Sequence, residues 1–430
     1  MTTNSDERVF GVRSSAAFVV GTVVGTGIYL KTGLVASLLG EPWKVFLLWA
    51  LAGVFTTAGA VVYSQLARIW PQSGGAYRFL YRVYGPWAAS MLLSADVFLG
   101  RPAAVGALAT GFGLVWELSD QEGLIVACSL IVALTMVQLR GAKVQGLSQT
   151  LLTGLQLVPL VLVLATWALL DHDQGGSPQA LAPGGVSQWS AAFLAILWAY
   201  DGWYNLTILG AEVKDPERTF FRALVGGMVC VTSLYLALNG VLFSCLPPQV
   251  VAESQVPFAR LFEAWQFPWL GFALKVSLTL ALLATLNGTL ACGSRVMVAA
   301  SQDGLIRAKL GTDPTRPLPT LAFSLLCLGL LILFGGLPLT LNLFDSLSEL
   351  TVVIVVLLTS LSITCIFHRD KLGRKVSAAV YGCAIFYLGV NTVLLYLLVV
   401  ESNWLALWGA LSVGVLGTVL WYFRDSKIRN

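Results

Sequence analysis

Charge is what this chain has least of. Only 11% of its 430 residues are Asp, Glu, Lys or Arg, against about 25% in soluble globular proteins. That is too little to coat a chain of this size against water, and the mean hydropathy of +0.79 agrees. Lipid is the solvent such a sequence requires. Histidine is nearly missing as well. His172 and His368 are the two, both in loop-like stretches, so a metal centre has almost no imidazole to draw on and none is expected. The seven cysteines (Cys128, Cys230, Cys245, Cys292, Cys327, Cys365 and Cys383) are odd in number, fall in apolar runs and form no CxxC pair. A disulfide framework and a zinc site are both argued against. The first residues, MTTNSDERVFGVR, lack the charged start, short apolar core and small-residue cleavage site of a removable leader, so the first apolar run is expected to stay as a span.

What the chain does have is apolar runs between charged or Pro/Gly-rich breaks. Twelve are long enough to be read as spans, at 14–38, 44–68, 87–115, 122–139, 148–170, 189–211, 223–246, 274–300, 318–336, 343–367, 376–399 and 403–423. An even number puts both termini on one side. Basic residues choose that side: Arg8, Arg13, Arg68, Arg78, Arg82, Arg140, Lys143, Lys214, Arg218, Arg222 and later clusters fall in alternate loops, while the opposite loops are mainly acidic. By the positive-inside rule both termini are expected to be cytoplasmic. The net charge of +4 is therefore an orientation signal, and no nucleic-acid partner is implied. Pro71–Gly85, amphipathic and basic, is expected to form a short interfacial helix. Ser177–Gly185 reads as an irregular outer loop.

Two spans are interrupted. The first carries Gly21, Gly25 and Gly27 within GTVVGTGIYL. Small residues permit close helix packing, but glycine also releases the backbone from helical geometry. An unwound break would expose N–H groups at the start of the next half-helix, where a carboxylate binds. The sixth span, LAILWAYDGWYNLTILGAEV, is interrupted by Asp201 and Gly202. A carboxylate at mid-membrane depth faces a cavity or a partner, or satisfies donors freed by a kink. The interruptions lie five spans apart, and an odd offset inverts the second copy. Paired breaks in two inverted halves point to a midplane site. The organisation implied is a cytoplasmic N-terminus (1–13), a first repeat of five spans (14–170), an inverted second repeat (189–367), two further spans (376–423) and a cytoplasmic C-terminus (424–430).

Five elements, in order along nearly the whole chain, resemble the amino acid–polyamine–organocation superfamily and within it the L-type amino acid transporter family. They are GTGIY at Gly25–Tyr29, PQSGGAYRFL at Pro71–Leu80, GRPAA at Gly100–Ala104, WAYDGWYNL…EVKDPER at Trp198–Arg218 and LNGTLACGSRVMVAASQDG at Leu286–Gly304. The resemblance implies an all-α integral membrane protein with the LeuT-like arrangement, five plus five inverted spans with the first and sixth broken. It also implies where substrate sits. The amides near Gly25, Thr26 and Gly27 would take the α-carboxylate. The carbonyls of Val23 and of the stretch Trp198, Ala199 to Asp201 and Gly202 would take the α-ammonium, and Trp198 would close over the substrate. The protein is not expected to be an enzyme or to need a cofactor.

Two departures qualify that picture. Animal members carry a cysteine after the third span that links to a heavy chain. The stretch Val115–Gly123 has none, so no disulfide-linked partner is expected. Many relatives place a lysine in the fifth span where a coupling sodium would sit; here Gln156 stands there. The expectation is a sodium-independent carrier or exchanger of small neutral L-amino acids in a bacterial inner membrane. The rivals are a cationic amino acid or polyamine antiporter and a sodium- or proton-coupled symporter. Asp96 and Arg101 are expected to interact or to snorkel, and Arg295 to anchor the cytoplasmic end of its span.

Overall fold

Proline opens many of the helices. Pro42, Pro86, Pro102, Pro216, Pro248 and Pro257 each stand in a first turn, where the missing N–H costs nothing. The computed structural model describes residues 8–169, 186–266, 270–306, 317–335, 360, 363–373, 375–400 and 404–424. Among these the secondary structure is helical apart from two isolated bridges, Phe10 with Val213 and Ser73 with Leu209. In order the helices are α1 (Val12–Val23), α2 (Gly27–Leu39), α3 (Pro42–Ile69), α4 (Ala76–Tyr84), α5 (Pro86–Leu93), α6 (Arg101–Val115), α7 (Asp120–Gln138) and α8 (Ala142–Leu169). They continue with α9 (Val186–Ala199), α10 (Asn205–Ile208), α11 (Pro216–Cys245), α12 (Pro248–Glu253), α13 (Pro257–Ala264), α14 (Leu270–Gln302) and α15 (Pro317–Gly335), then Ala378–Val400 and Trp404–Tyr422. A π-helical turn, Ser94–Gly100, joins α5 to α6. A capping box starts α7: Ser119 accepts from the Glu122 amide, and the Glu122 carboxylate accepts from the Ser119 amide at 3.0 Å.

Among the described residues six helices are long and apolar enough to cross a membrane, or seven if α1 and α2, bent by 45° to one another, count as one span. The protein is thus a multi-pass membrane protein. Four more of the twelve expected spans are present as shorter apolar helices, at Gln188–Ala199, Leu318–Leu333, Ala378–Leu394 and Val413–Tyr422. The tenth, 343–367, lies almost wholly outside the described residues, as does Ser177–Gly185. The sixth falls short because its helix ends at Ala199, at the break. The interfacial helix expected within Pro71–Gly85 exists as α4, but Tyr77, Phe79 and Leu80 are buried, so it is tucked into the protein.

At the centre of the packing, α1 lies against α8, α11 and α14, while α2 lies against α9 and α12. An aromatic layer backs the two breaks. Trp49 of α3 meets Tyr200 and Tyr235, with ring centroids 5.7 and 5.2 Å away, and Tyr63 meets Trp203 at 5.1 Å. These rings supply apolar area, and the Tyr200 hydroxyl donates to the Trp49 carbonyl at 3.2 Å.

At one end of the molecule, Arg295 of α14 grips Glu212, just after α10. Its Nε and Nη2 reach the two carboxylate oxygens at 2.7 and 3.0 Å, and Nη2 also donates to Gln145 at 2.5 Å. Both charges are buried. Arg295 therefore does more than anchor a helix end. The Glu212 carbonyl also accepts from the amides of Val9 and Phe10, at 2.8 and 3.0 Å, and the Lys214 amide donates back to Phe10 at 2.8 Å. Removing one partner of a buried, hydrogen-bonded pair strands the other and costs about 3–5 kcal/mol, whereas an apolar pair of similar volume is often tolerated. Glu212→Leu should therefore lower the melting temperature of the purified protein sharply. Combining it with Arg295→Met should recover most of the loss, and a double variant no more stable than Glu212→Leu would contradict this.

Candidate substrate site

The break in the first span is three residues long. The Val24 amide still bonds to Val20 at 2.8 Å, then Gly25 turns back onto the Val23 carbonyl at 2.7 Å. α2 begins at Gly27, with Thr26 as its N-cap and no side-chain cap. Its first ladder bonds are those of Tyr29 and Leu30, both to Thr26 at 3.1 Å. The amides of Thr26, Gly27 and Ile28 precede that ladder, as the leading amides of any helix do. In the sixth span α9 stops at Ala199, the chain turns through Tyr200–Tyr204, and the short α10 starts at Asn205. Gly202 has φ +100°, a conformation that side chains rarely adopt, so glycine is required there.

The breaks cross one another in contact. A Cβ on Gly27 would stand 2.5 Å from the Cβ of Ala199, and one on Gly202 would stand 2.7 Å from the Thr22 carbonyl. The Thr22 hydroxyl faces Phe18 of its own helix at 2.9 Å and Gly202 across the break at 3.2 Å. Behind the crossing lies Tyr235 of α11, fully buried. Its single hydroxyl proton is shared between the carbonyls of Val23 and Ala199, each 3.0 Å away. Those are the last residues of α1 and α9, whose carbonyls carry the negative ends of their helix dipoles. The sequence offers no signal for this residue, a tyrosine in an apolar run. Every expected binding residue (Val23, Gly25, Thr26, Gly27, Trp198, Ala199, Asp201 and Gly202) falls at or beside this crossing.

Asp201 is half-buried. Its amide bonds back to Trp198 at 3.3 Å, and the Gly202 amide and Tyr204 hydroxyl lie against its carboxylate. Beyond them sits a buried pair: Arg101 Nε donates to Asp96 at 3.0 Å, and Nη2 donates to Asn205 Oδ1 at 3.0 Å. Asp96 and Arg101 thus interact rather than snorkel, and they tie the π-helical turn of the third span to the start of α10. Asn205 and Asn287, each the first residue of an Asn-X-Thr triplet, are both buried.

Gln156 lies on the buried face of α8 with Gln145, Gln149 and Thr153. The Thr153 hydroxyl donates to Ala17 of α1 at 3.0 Å. Neither amide atom of Gln156 has a hydrogen-bond partner among the described residues, and no group of metal-ligating side chains occurs among them.

A bundle of apolar spans with two helices broken at a shared crossing is the architecture of a membrane carrier. Residues 10–423 match the amino acid permease family, and the chain belongs to it. It is 27% identical over 383 residues to the serine/threonine exchanger SteT of Bacillus subtilis strain 168, covering 86% of this chain and 84% of that one. It is 23% identical over 361 residues to the human b(0,+)-type amino acid transporter 1, covering 80% and 73%. It is also 23% identical over 341 residues to the mouse Asc-type amino acid transporter 1, covering 75% and 64%. The resemblance seen in the five sequence elements is borne out.

Removing the Tyr235 hydroxyl withdraws a donor from two carbonyls at once, and an unsatisfied buried group costs about 1–3 kcal/mol. Tyr235→Phe should lower the melting temperature and change substrate affinity together. A variant indistinguishable from the native protein on both counts would show that the bridge does not hold the breaks.

Proposed function

We propose that this chain is an amino-acid exchanger of the LeuT-like arrangement. Twelve spans, with inverted repeats at 14–170 and 189–367, would lie in a bacterial inner membrane with both termini cytoplasmic. It moves L-amino acids by alternating access, without sodium, and favours small neutral side chains. One observation carries the reading: the open N-terminus of α2 and the terminal carbonyls of α1 and α9 meet at one place, so positive and negative backbone ends converge. A zwitterion fits that pair of poles. In this reading Thr26 and Gly27 take the α-carboxylate, Val23 and Ala199 the α-ammonium through their remaining lone pairs, and Trp198 covers the substrate.

The exchanger SteT among the relatives supports exchange. Gln156 supports sodium independence without titration, because a neutral amide is neither a fixed charge nor a proton site. No cysteine occurs between Val115 and Gly123, which supports a carrier without a disulfide-linked heavy chain. Asp201 stands beside the ammonium position. Opposite charges about 4 Å apart attract by about 4 kcal/mol at an effective dielectric near 20, before desolvation is subtracted. The ammonium of any amino acid uses that one carboxylate, which leaves nothing there for a second substrate cation.

Uptake of labelled amino acids into proteoliposomes, with and without internal substrate, tests the proposal. Serine or alanine uptake should need internal amino acid and be indifferent to external sodium. A strong sodium stimulation would establish the symporter instead, and preference for putrescine the polyamine carrier. Gly27→Val, which places a side chain against Ala199 and over the amides, should abolish binding in a protein that still inserts and purifies. Asp201→Asn should weaken all substrates alike, and selective loss of arginine transport would make Asp201 a side-chain reader.

A further inference from the structure

Far from the crossing, three long helices leave a recess on the outside of the bundle. α3 packs against α11 on one flank and against the helix Ala378–Val400 on the other. Between these walls lies a groove of about 510 Å³, within the ~300–1,000 Å³ range of ligand pockets. α3 lines it between Gly53 and Val61, about 12 Å along the helix axis. Val229 to Ser233 of α11 and Gly382 to Phe386 of the third helix bound its sides. No lining residue is charged. The hydroxyls of Thr232 and Ser233 donate within α11, to the carbonyls of Met228 at 2.8 Å and Val229 at 2.9 Å. The groove lies at the middle of the 28-residue α3 and the 30-residue α11. Helices of that length exceed a hydrocarbon core about 30 Å thick, so their midpoints fall inside it. Val54 and Val229, 58% and 53% exposed, carry the apolar lining out onto the surrounding surface.

We propose that this groove is a lipid site: one acyl chain of a bilayer phospholipid lies along it, touching α3, α11 and Ala378–Val400 together. Depth and chemistry choose the occupant. An uncharged lining gives a headgroup or a free amino acid nothing to pair with, and burying an unpaired charge there is costly. On its open side the groove is continuous with the lipid-facing surface, so hydrocarbon is already at its mouth. An empty recess would forfeit the dispersion contacts of its lining. Two glycines set its shape. Gly53 lets α3 approach α11, since a Cβ there would stand 2.3 Å from Thr232 Cγ2, whereas a Cβ on Gly382 would meet nothing within 4 Å. The recess is closed at the first and left open at the second. Its occupant also bears on the substrate site. Tyr387, beside Phe386 in the chain, is buried, stacks on Phe55 of α3 at 4.4 Å and meets Trp203 at 6.5 Å. A chain wedged outside this helix steadies the aromatic layer behind the sixth-span break. The site does not depend on which substrate is carried.

Phosphatidylglycerol carrying a mid-chain diazirine, mixed into phosphatidylglycerol nanodiscs around the full chain, tests this by light-induced labelling and peptide mass spectrometry. In the native protein adducts should fall on the recessed Thr57 and Ala58 as well as on Val132, an exposed side chain of α7 that serves as the lipid-facing reference. In Gly382→Leu, whose added side chain fills the recess, labelling of Thr57 and Ala58 should be lost while that of Val132 remains. No adduct on Thr57 or Ala58 in the native protein would overturn the proposal, and so would undiminished labelling of them in the variant. If the native protein were a dimer and these two residues were labelled only in its monomers, a second copy would be the occupant and the proposal would fail. Melting temperatures give a second reading. Phosphatidylglycerol added to lipid-stripped protein in detergent should raise that of the native chain more than that of Gly382→Leu, and an equal rise counts against the site. Should Gly382→Leu not purify, Cys383→Phe fills the groove from the next position and should give the same losses.

Discussion

Backbone groups released from a helix inside a membrane must find partners within the protein, because lipid offers none. The rest of this structure is arranged around that demand. Two spans break, and each break leaves carbonyls at the end of one half-helix and amides at the start of the next. The Tyr235 hydroxyl answers two of those carbonyls with one proton. The Thr22 hydroxyl reaches from one break to the other, and Asp201 turns its carboxylate to the Gly202 amide. The leading amides of α2 precede its backbone ladder and have no side-chain cap, which is why the proposed reading puts the carboxylate of a substrate there.

Shape enforces the same arrangement. Gly27 sits where any side chain would collide with Ala199, and Gly202 needs both its positive φ and its proximity to Thr22. These are the glycines that the sequence singles out, and here local chemistry and tertiary packing ask for the same residue. Hydrophobic periodicity sufficed for the long spans because in lipid nearly every apolar run of that length becomes a helix. In the sixth, read as a run over 189–211 interrupted at Asp201 and Gly202, the first helix stops slightly earlier, at Ala199, and α10 is a separate short turn.

Other parts of the site had no local signature. Tyr235 lies in a run of leucines and valines, and only the fold aims it at two residues more than 30 and 200 positions away. The grip of Arg295 on Glu212 is equally remote, 83 positions apart in the chain. Each of these pairings depends on three-dimensional placement of elements, and composition or periodicity carries no record of it. The five family-like elements fared better because each combines a conformational demand with a polar group and so constrains several positions together.

The two fastenings of α1 give the breaks a mechanical consequence. At its start, Phe10 is zipped to residues 212–214, just beyond α10. At its end, Thr22 and Val23 are joined to the break of the sixth span, directly and through Tyr235. Helix α1 and the segment from Ala199 to Lys214 are therefore tied at both extremities, while α2 leaves the crossing at 45° and packs on α9. A displacement of α1 carries the far side of the sixth span with it; α2 and α9 form the corresponding pair on the other side. The two pairs meet at the crossing, and the bonds there are single shared protons rather than ladders of backbone hydrogen bonds. A crossing fastened in this way can shift without melting a helix. In the proposed reading, substrate binding and rearrangement would then share one location.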